Sequence, residues 1–378
     1  MNIGITCHPS AGGSGILATE LGLAMAARGH HVHFVTGETP FRLSGYHTNV
    51  FSHVVDTVSY PLFRIPPHSL ALAAKICEVA EEYKIDLWHA HYAIPNAASV
   101  IFGREMLAPD RRFKLVTTLH GTDITLVGTE PSFFRITQFA MEQSDAVTAV
   151  SNWLKAETER EFRLNKPVRT IYNFFDPDKF SRPTVPRCRL ANEDVKIIMH
   201  ISNFRPVKRV TDVVRAFKKI VDRVDATLVM VGEGPERMAA KGVAKQLGVS
   251  ERIKYLGNHE NIEELLPCAD LIFQPSEHES FGLVPLEAMA CEVPVLATAS
   301  GGIMEVVEHG VTGYLCEVGD TDTMAAHAIS LLTHPEQAAA MGRAGRERAL
   351  RLFDRDTIIG QYESLYNELL TGESAANS

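Results

Sequence analysis

Ile3-Gly4-Ile5-Thr6-Cys7-His8, followed by Pro9-Ser10-Ala11-Gly12-Gly13-Ser14-Gly15, the run Ile16–Arg28, Gly29 and His31–Thr36, is the stretch that decides the architecture. Its first segment alternates and is rich in β-formers, which predicts a strand. Pro9–Gly15 reads as a loop, Ile16–Arg28 has the apolar spacing of a helix, and Gly29 stands where a helix C′ residue belongs. His31–Thr36 is the next strand. The alternation continues, with strands expected at Asp86–His91, Lys114–Leu119, Ala146–Val150 and Arg169–Tyr172 and helices near 70–83, 94–106, 132–143 and 152–163. This is the pattern of a parallel sheet covered on both faces.

Between Asp176 and Asp194 the periodicity fails, and Pro177, Pro183 and Pro186 lie among polar residues, which places an interdomain linker there. A second run follows. Lys196–Ile201, Ala226–Val231, Ile253–Leu256, Leu271–Gln274, Val293–Ala297 and Tyr314–Cys316 read as strands, with helices near 209–224, 234–247, 282–291 and 320–333. The expected fold is therefore α/β, two doubly wound domains at 1–180 and 190–355, with a final helix at 356–372 packing back on the first. A length of 378 residues suits two domains of ~100–200 residues each. Ligands of open α/β sheets collect at the carboxyl ends of the strands, so two such domains facing one another define a cleft.

Composition narrows the function. The chain is 45% hydrophobic and 22% charged, as expected of an ordinary globular enzyme. Of its net charge of −9, residues 1–185 carry 17 basic and 18 acidic side chains and the remainder 20 and 28, so neither half is the basic platform of a nucleic-acid binder. No stretch approaches ~18 uncharged apolar residues and the N-terminus has no basic n-region, so neither membrane nor secretion is expected. Cys7, Cys77, Cys188, Cys268, Cys291 and Cys316 lie apart with no C-x-x-C, which predicts reduced thiols and a cytoplasmic setting. An acidic protein still holds a small polyanion where a few cations and amides are focused.

Gly13-Ser14-Gly15-Ile16-Leu17-Ala18 satisfies G-x-G-x-x-A, and Glu38 lies where a ribose-binding acid belongs. Taken alone this suggests an NAD-dependent oxidoreductase. The first glycine of that fingerprint, however, makes the tight turn straight after the strand, and here Pro9-Ser10-Ala11-Gly12 intervenes. What survives is a run of small residues exposing N–H groups at a helix start, a seat for a carboxylate or phosphate. The simpler alternative is a flexible loop that only begins a helix.

The most informative stretch is Gln274-Pro275-Ser276-Glu277-His278-Glu279-Ser280-Phe281-Gly282-Leu283-Val284-Pro285-Leu286-Glu287-Ala288-Met289-Ala290, which follows a strand and opens a helix. Ser280 to Leu283 would present amides and a positive dipole end, suited to a diphosphate. Glu279 at the loop tip and Glu287 in the second helical turn can reach different hydroxyls of one extended ligand. Two carboxylates would repel a phosphate, so they must accept hydrogen bonds from sugar hydroxyls. The plain alternative is a capping residue and a solvated helix carboxylate.

Glu279-x7-Glu287 around Ser280-Phe281-Gly282-Leu283, followed by Ala288-Met289-Ala290 and Gly301-Gly302-Ile303-Met304-Glu305, resembles the retaining glycosyltransferases of the large family that contains sucrose and glycogen synthases. The resemblance implies the GT-B fold, two Rossmann-like domains facing a central cleft. A closer likeness runs along nearly the whole chain. It is carried by Gly4-Ile5-Thr6-Cys7, Gly12-Gly13-Ser14-Gly15, Ala18-Thr19-Glu20-Leu21, Pro40-Phe41-Arg42-Leu43, His89-Ala90-His91-Tyr92, Thr117-Thr118-Leu119-His120-Gly121-Thr122-Asp123 and His200-Ile201-Ser202-Asn203-Phe204-Arg205. These segments are similar to the members that transfer GlcNAc from UDP-GlcNAc to L-malate, the first step of bacillithiol biosynthesis.

That resemblance implies roles. An R-x4-K pair grips the diphosphate in the wider family; here Asn203 takes the arginine position, Lys208 keeps the lysine, and Arg205 between them is expected to share the work. Glu279 would bind GlcNAc hydroxyls and Glu287 the ribose, with Ser280 and the amides of Phe281, Gly282 and Leu283 on sugar and phosphates. Gly15 would also touch the donor, and the loop Gly257 to Ile262 would read uracil. L-malate would fall to the first domain, to Gly13, Ser14, Tyr92, Thr118, Thr122 and Asn152. His120 is expected beside the reacting sugar, so His120, Lys208, Arg205 and Glu279 form the catalytic set. From residues alone, Tyr92 and Asn152 read equally as packing, His120 as a strand-end histidine bonded to backbone, and Arg205 and Lys208 as solvated cations.

Metal chemistry is not expected. Asp176-Pro177-Asp178 lies in the linker, Asp320-Thr321-Asp322 reads as an N-cap, and Asp354-Arg355-Asp356 precedes the last helix. His89 and His91 share one face of a strand without an evident third ligand for zinc. No cofactor is called for, and homo-oligomerisation is left open. Against the transferase stand a related enzyme with another small anionic acceptor, the NAD-dependent oxidoreductase and a non-catalytic sugar-binding module. The oxidoreductase has no need of Glu279 and Glu287, and the module little use for Lys208 and Arg205.

Overall fold

The computed structural model describes residues 1–9, 12–43, 45–57, 66–182, 190–192 and 194–372. The chain forms two compact units, one from Met1–Asn173 with the segment from Asp356, the other from Phe174–Arg355. The first crossing lies just before the proline-bearing segment, because Phe174, Phe175 and Phe180 are buried and Asp176 pairs with Arg355 at 2.6 Å. Pro183, Pro186 and Cys188 lie outside the described residues, as do Ser10 and Ala11 of the glycine loop.

The first unit is built on seven parallel strands: β1 (Asn2–Thr6), β2 (His31–Thr36), β3 (Val50–Val54), β4 (Leu87–His91), β5 (Lys114–Leu119), β6 (Ala146–Ala149) and β7 (Val168–Thr170). Their order is β3-β2-β1-β4-β5-β6-β7, so the winding reverses between β1 and β4. β3 was not among the expected strands. It is an edge strand with Phe51 and Val54 exposed, so it lacks the alternation by which a half-buried strand is read. Residues 94–106 are not one helix, since a π turn at Ala93–Ala97 precedes the helix Ala98–Glu105.

The helix Arg355–Thr371 packs on the first unit through Ile358, Ile359, Tyr362, Leu365 and Tyr366. Glu363 accepts from Arg28 and lies 2.8 Å from His30, and Glu368 takes both guanidinium nitrogens of Arg169 at 2.7 and 2.6 Å. Tyr366 is fully buried, with its hydroxyl 2.6 Å from His89 Nδ1. Tyr366→Phe would leave that nitrogen unsatisfied and is expected to lower unfolding stability by about 1–3 kcal/mol in urea denaturation.

The second unit repeats the plan with β8 (Lys196–Ile201), β9 (Ala226–Val231), β10 (Ile253–Gly257), β11 (Leu271–Gln274), β12 (Val295–Thr298) and β13 (Gly313–Cys316). They are parallel in the order β10-β9-β8-β11-β12-β13, reversing between β8 and β11. The helix Val210–Val221 buries Val210, Val213, Val214, Phe217 and Ile220 against this sheet, the one-face spacing of an amphipathic helix. A nineteen-residue helix at Pro335–Phe353 was not anticipated from its sequence.

Cys268 is disulfide-bonded, which corrects the expectation of reduced thiols throughout, while Cys7, Cys77, Cys291 and Cys316 are free. Among the described residues no helix is long and apolar enough to cross a membrane.

Candidate active site

In the first unit the glycine loop is shorter than its sequence suggests. The helix begins at Gly13 rather than Ile16, with Gly12 as N-cap and no side-chain cap bond. Gly13 and Ser14 therefore open the first helical turn, where N–H groups have no intrahelical partner, while the Gly15 N–H donates to Gly12 O at 3.0 Å. This also disposes of the dinucleotide fingerprint, whose first glycine would have to turn directly after β1; that strand ends at Thr6.

Where β4 and β5 end, three imidazoles gather. His91 Nδ1 lies 2.9 Å from His120 Nε2, and the rings of His89 and His91 stack with centroids 4.3 Å apart. Burial pushes His89 and His120 down to about 3 and His91 well below the usual imidazole range, with the neighbouring imidazoles adding to it, so all three are neutral at pH 7. Asp123 accepts from the N–H groups of Ala93, His120 and Gly121 at 3.0–3.2 Å. Burial nevertheless raises its carboxyl to about 6, against those bonds. Tyr92 has φ 81°, an unusual conformation for a non-glycine residue, and its ring lies 5.1 Å from His120. Thr122 opens the short helix Thr122–Thr125 beside them.

Two expected acceptor residues stand differently. Thr118 is buried, its hydroxyl 2.6 Å from both His89 Nε2 and Thr148 Oγ1, so its side chain faces the core rather than a ligand. Its carbonyl instead accepts from the Tyr92 N–H at 2.9 Å. Asn152 is exposed at the start of its helix, but its amide donates to the Tyr172 hydroxyl and accepts from Thr170.

In the second unit the loops after β8 and β11 are tied together. The Glu277 N–H donates to Val207 O at 2.8 Å, and Lys208 Nζ donates to Glu279 Oε2 at 2.6 Å. The two side chains of that pair are 19% and 18% exposed, which excludes Lys208 as a solvated cation. A third loop supports Glu279: the Gly302 N–H donates to its carbonyl at 2.7 Å, and Ser300 Oγ donates to Glu277 O. Gly301, at φ 74°, leaves no room for a side chain, since a Cβ there would lie 2.2 Å from Glu279 O. Beneath them His200 bridges Phe273 O and Ser202 Oγ, both at 2.8 Å, and burial lowers it to about 4.

Arg205 and Asn203 are exposed in the same loop, while Arg209 pairs with Asp212 at 2.6 Å. Gly282 caps the helix Leu283–Ala290, Ser280 and Leu283 are half-buried, and Phe281 is buried edge-on to Phe353. Glu287 is 3% exposed, so it is not a solvated helix carboxylate. Ile262 opens a short helix beyond β10, and the loop before it is exposed. Asp320 caps its helix through the Thr323 N–H, and Asp176 is held by Arg355. Among the described residues no group of three His, Cys, Asp or Glu side chains is placed to hold a metal.

Neutral buried histidines make stability depend on pH. His89, His120 and His200 titrate below a free imidazole, so between about pH 6.5 and 3 the unfolded chain takes up protons that the folded chain refuses. Stability is full above that window and falls as pH drops through it. Asp123 acts with opposite sign, its raised carboxyl gaining a proton in the folded state. Three imidazoles outweigh one carboxyl, and the melting temperature is expected to be lower at pH 5 than at pH 7.5. A higher value at pH 5 would contradict their neutrality.

The sequence reading missed His89 and His91 as partners of His120. The signal was there in the period of two that sets both imidazoles on one face of β4.

Residues 11–179 match the family described as Glycosyltransferase Family 4, and residues 181–348 the family described as Glycosyl transferases group 1. The N-acetyl-alpha-D-glucosaminyl L-malate synthase of Bacillus anthracis is 48% identical over 373 residues, covering 98% of this chain and 97% of that protein. Among solved structures, the sucrose-phosphate synthase of Thermosynechococcus elongatus superposes with a TM-score of 0.83 at 24% identity, over 99% of this chain and 100% of that one. Anabaena HepE, solved with UDP and glucose, gives 0.80 at 24% identity, over 97% and 99%. With two doubly wound parallel-sheet domains and these full-length likenesses, the chain belongs to the group 1 glycosyltransferases and has their GT-B fold.

Proposed function

We propose that the chain transfers GlcNAc from UDP-GlcNAc to the hydroxyl of L-malate with retention at the anomeric carbon, the first step of bacillithiol biosynthesis. The observation that carries this reading is the 48% identity to the L-malate synthase along almost the entire length of both chains. The geometry of each unit supports it.

The second unit is the donor domain. Lys208 and Glu279 neutralise one another across 2.6 Å. A nucleotide diphosphate competes for Lys208, and the freed Glu279 carboxylate then accepts from GlcNAc hydroxyls. Arg205 adds charge to the phosphates, Asn203 and Ser280 add hydrogen bonds, and the amides of Phe281, Gly282 and Leu283 lie at a helix start that favours an anion. Glu287 serves the ribose, and the loop Gly257 to Ile262 the uracil. The first unit is the acceptor domain, where Gly13 and Ser14 N–H groups take a malate carboxylate and Tyr92 and Thr122 complete the seat, with Gly15 next to the donor. His120 stands at the transferred sugar.

Departure of UDP gives the sugar oxocarbenium character, and charge grows on the leaving phosphate. Lys208, Arg205 and the helix-start amides are aimed at that charge. The leaving phosphate oxygen then accepts the malate hydroxyl proton on the face from which it departs, which yields retention without a protein nucleophile. A cytoplasmic location belongs to the same reading; the four thiols free among the described residues favour it and the Cys268 bridge speaks against it.

Incubation with UDP-GlcNAc and L-malate is expected to release UDP and give a malyl glucosaminide by mass spectrometry, with an α-anomeric coupling by NMR. Turnover with a different small anion but not with malate would remove the acceptor while keeping the transferase. A β-linked product would remove retention.

A further inference from the structure

Among the described residues the Tyr366 hydroxyl has one neighbour, His89 Nδ1 at 2.6 Å. A buried phenol hydrogen goes to the acceptor it has, so Tyr366 donates and the His89 proton sits on Nε2, 2.6 Å from Thr118 Oγ1. Both nitrogens of His89 are thereby satisfied.

His91 is 2% exposed, its Nδ1 faces His120 Nε2 at 2.9 Å, and its own Nε2 is buried with no partner among the described residues. One neutral tautomer of His91 would orphan an N–H there, and the other would orphan a bare lone pair. Orphaned donors are the rarer of the two in protein interiors. We propose that His91 is a positioning residue that donates its Nδ1–H to His120 Nε2, holding His120 in the Nδ1–H tautomer as a hydrogen-bond donor to a ligand oxygen. The ring atom through which His120 would act as a base is then already occupied. Nδ1 of His120 has no partner among the described residues. His89, pinned at both nitrogens and stacked on His91, keeps the His91 ring from turning over. The proposal rests on the reading that places His120 at the transferred sugar. A fixed donor there suits an oxygen that gains negative charge as the sugar–phosphate bond breaks.

Long-range proton–nitrogen correlation NMR on the full chain carrying 15N-histidine reads the tautomers directly. His120 is expected with Nδ1 protonated and Nε2 bare, and the reverse assignment would overturn the proposal. His91→Phe keeps the ring and removes the donor. It is expected to lower kcat about tenfold, the worth of one orienting hydrogen bond, with KM for UDP-GlcNAc within about twofold and His120 exchanging between tautomers. His91→Asn, whose amide nitrogen reaches the Nδ1 position, recovers most of kcat. A folded His91→Phe with wild-type kcat and an unchanged His120 tautomer would also overturn it. If that variant does not fold, the wild-type spectrum still decides. The spectrum needs no substrate, so a protein inactive on UDP-GlcNAc and malate would defeat the functional reading and leave the tautomer legible.

Discussion

Lys208→Ala is expected to lower turnover by about 10²–10³-fold, the usual cost of removing a group aimed at charge that develops in the transition state. Lys208 sits in the turn Pro206–Lys208 directly after β8, and its ammonium meets Glu279 at 2.6 Å. The substitution acts twice: it takes a cation from the leaving diphosphate, and it leaves a mostly buried Glu279 carboxylate unpaired, which then repels the donor. Both the KM for UDP-GlcNAc and kcat should therefore suffer. Lys208→Arg keeps the charge in a different shape and should recover part of each. The measurement is UDP release at saturating donor, with circular dichroism to verify the fold. Near-normal turnover in Lys208→Ala and in Glu279→Ala would end the assignment of the donor site.

Gly301→Ala should lose activity and stability together. Its Cβ would stand 2.2 Å from the Glu279 carbonyl oxygen and 3.1 Å from the carbonyl carbon, and φ 74° is strained for alanine in any case. Both atoms are backbone, so the loop has to move and the bond from the Gly302 N–H to Glu279 O is lost. Displacing Glu279 by about 1 Å would cost about 10²-fold in turnover, and the strain about 1–3 kcal/mol of stability. Thermal melting and UDP release read the two effects separately. A variant with wild-type turnover would mean that this turn does not set the position of Glu279.

The architecture was legible because fully buried parallel strands are short apolar runs. Ile3 to Thr6, Leu115 to Leu119 and Ile197 to Ile201 can be little else between helices. What escaped was whatever depended on a neighbour. β3 has exposed side chains on both faces and owes its existence to its pairing with β2, from Val32 opposite Val50 to Thr36 opposite Val54. The helix Pro335–Phe353 carries Gly342 and Gly345, which weaken a helical reading. Gly342 is required by contact, since a Cβ there would lie 2.1 Å from the Glu292 carbonyl oxygen. In the site, Glu279 stood out by its place between a strand and a helix with Glu287 eight residues on, and Lys208 by the family resemblance. The direction of a hydroxyl did not: nothing in Thr117-Thr118 tells that Thr118 bonds to His89 and Thr148 while Thr117 bonds to Ser144. His89 and His91 invited a metal reading because their partners, His120 and Tyr366, come from distant segments.

The helix Arg355–Thr371 belongs to the unit that the chain began and left at Asn173. During synthesis this inverts the usual order, in which the domain nearest the N-terminus folds first. The Phe174–Arg355 unit has all its strands before Tyr362 and Tyr366 emerge, while the earlier sheet waits on the ribosome with the Tyr366-facing side of His89 uncovered. At about 5–20 residues per second, the nearly two hundred residues between Asn173 and Tyr366 leave it incomplete for about ten seconds or more. The half of the protein begun first is finished last, and a nascent-chain protease assay should find it cleavable until that helix has left the exit tunnel.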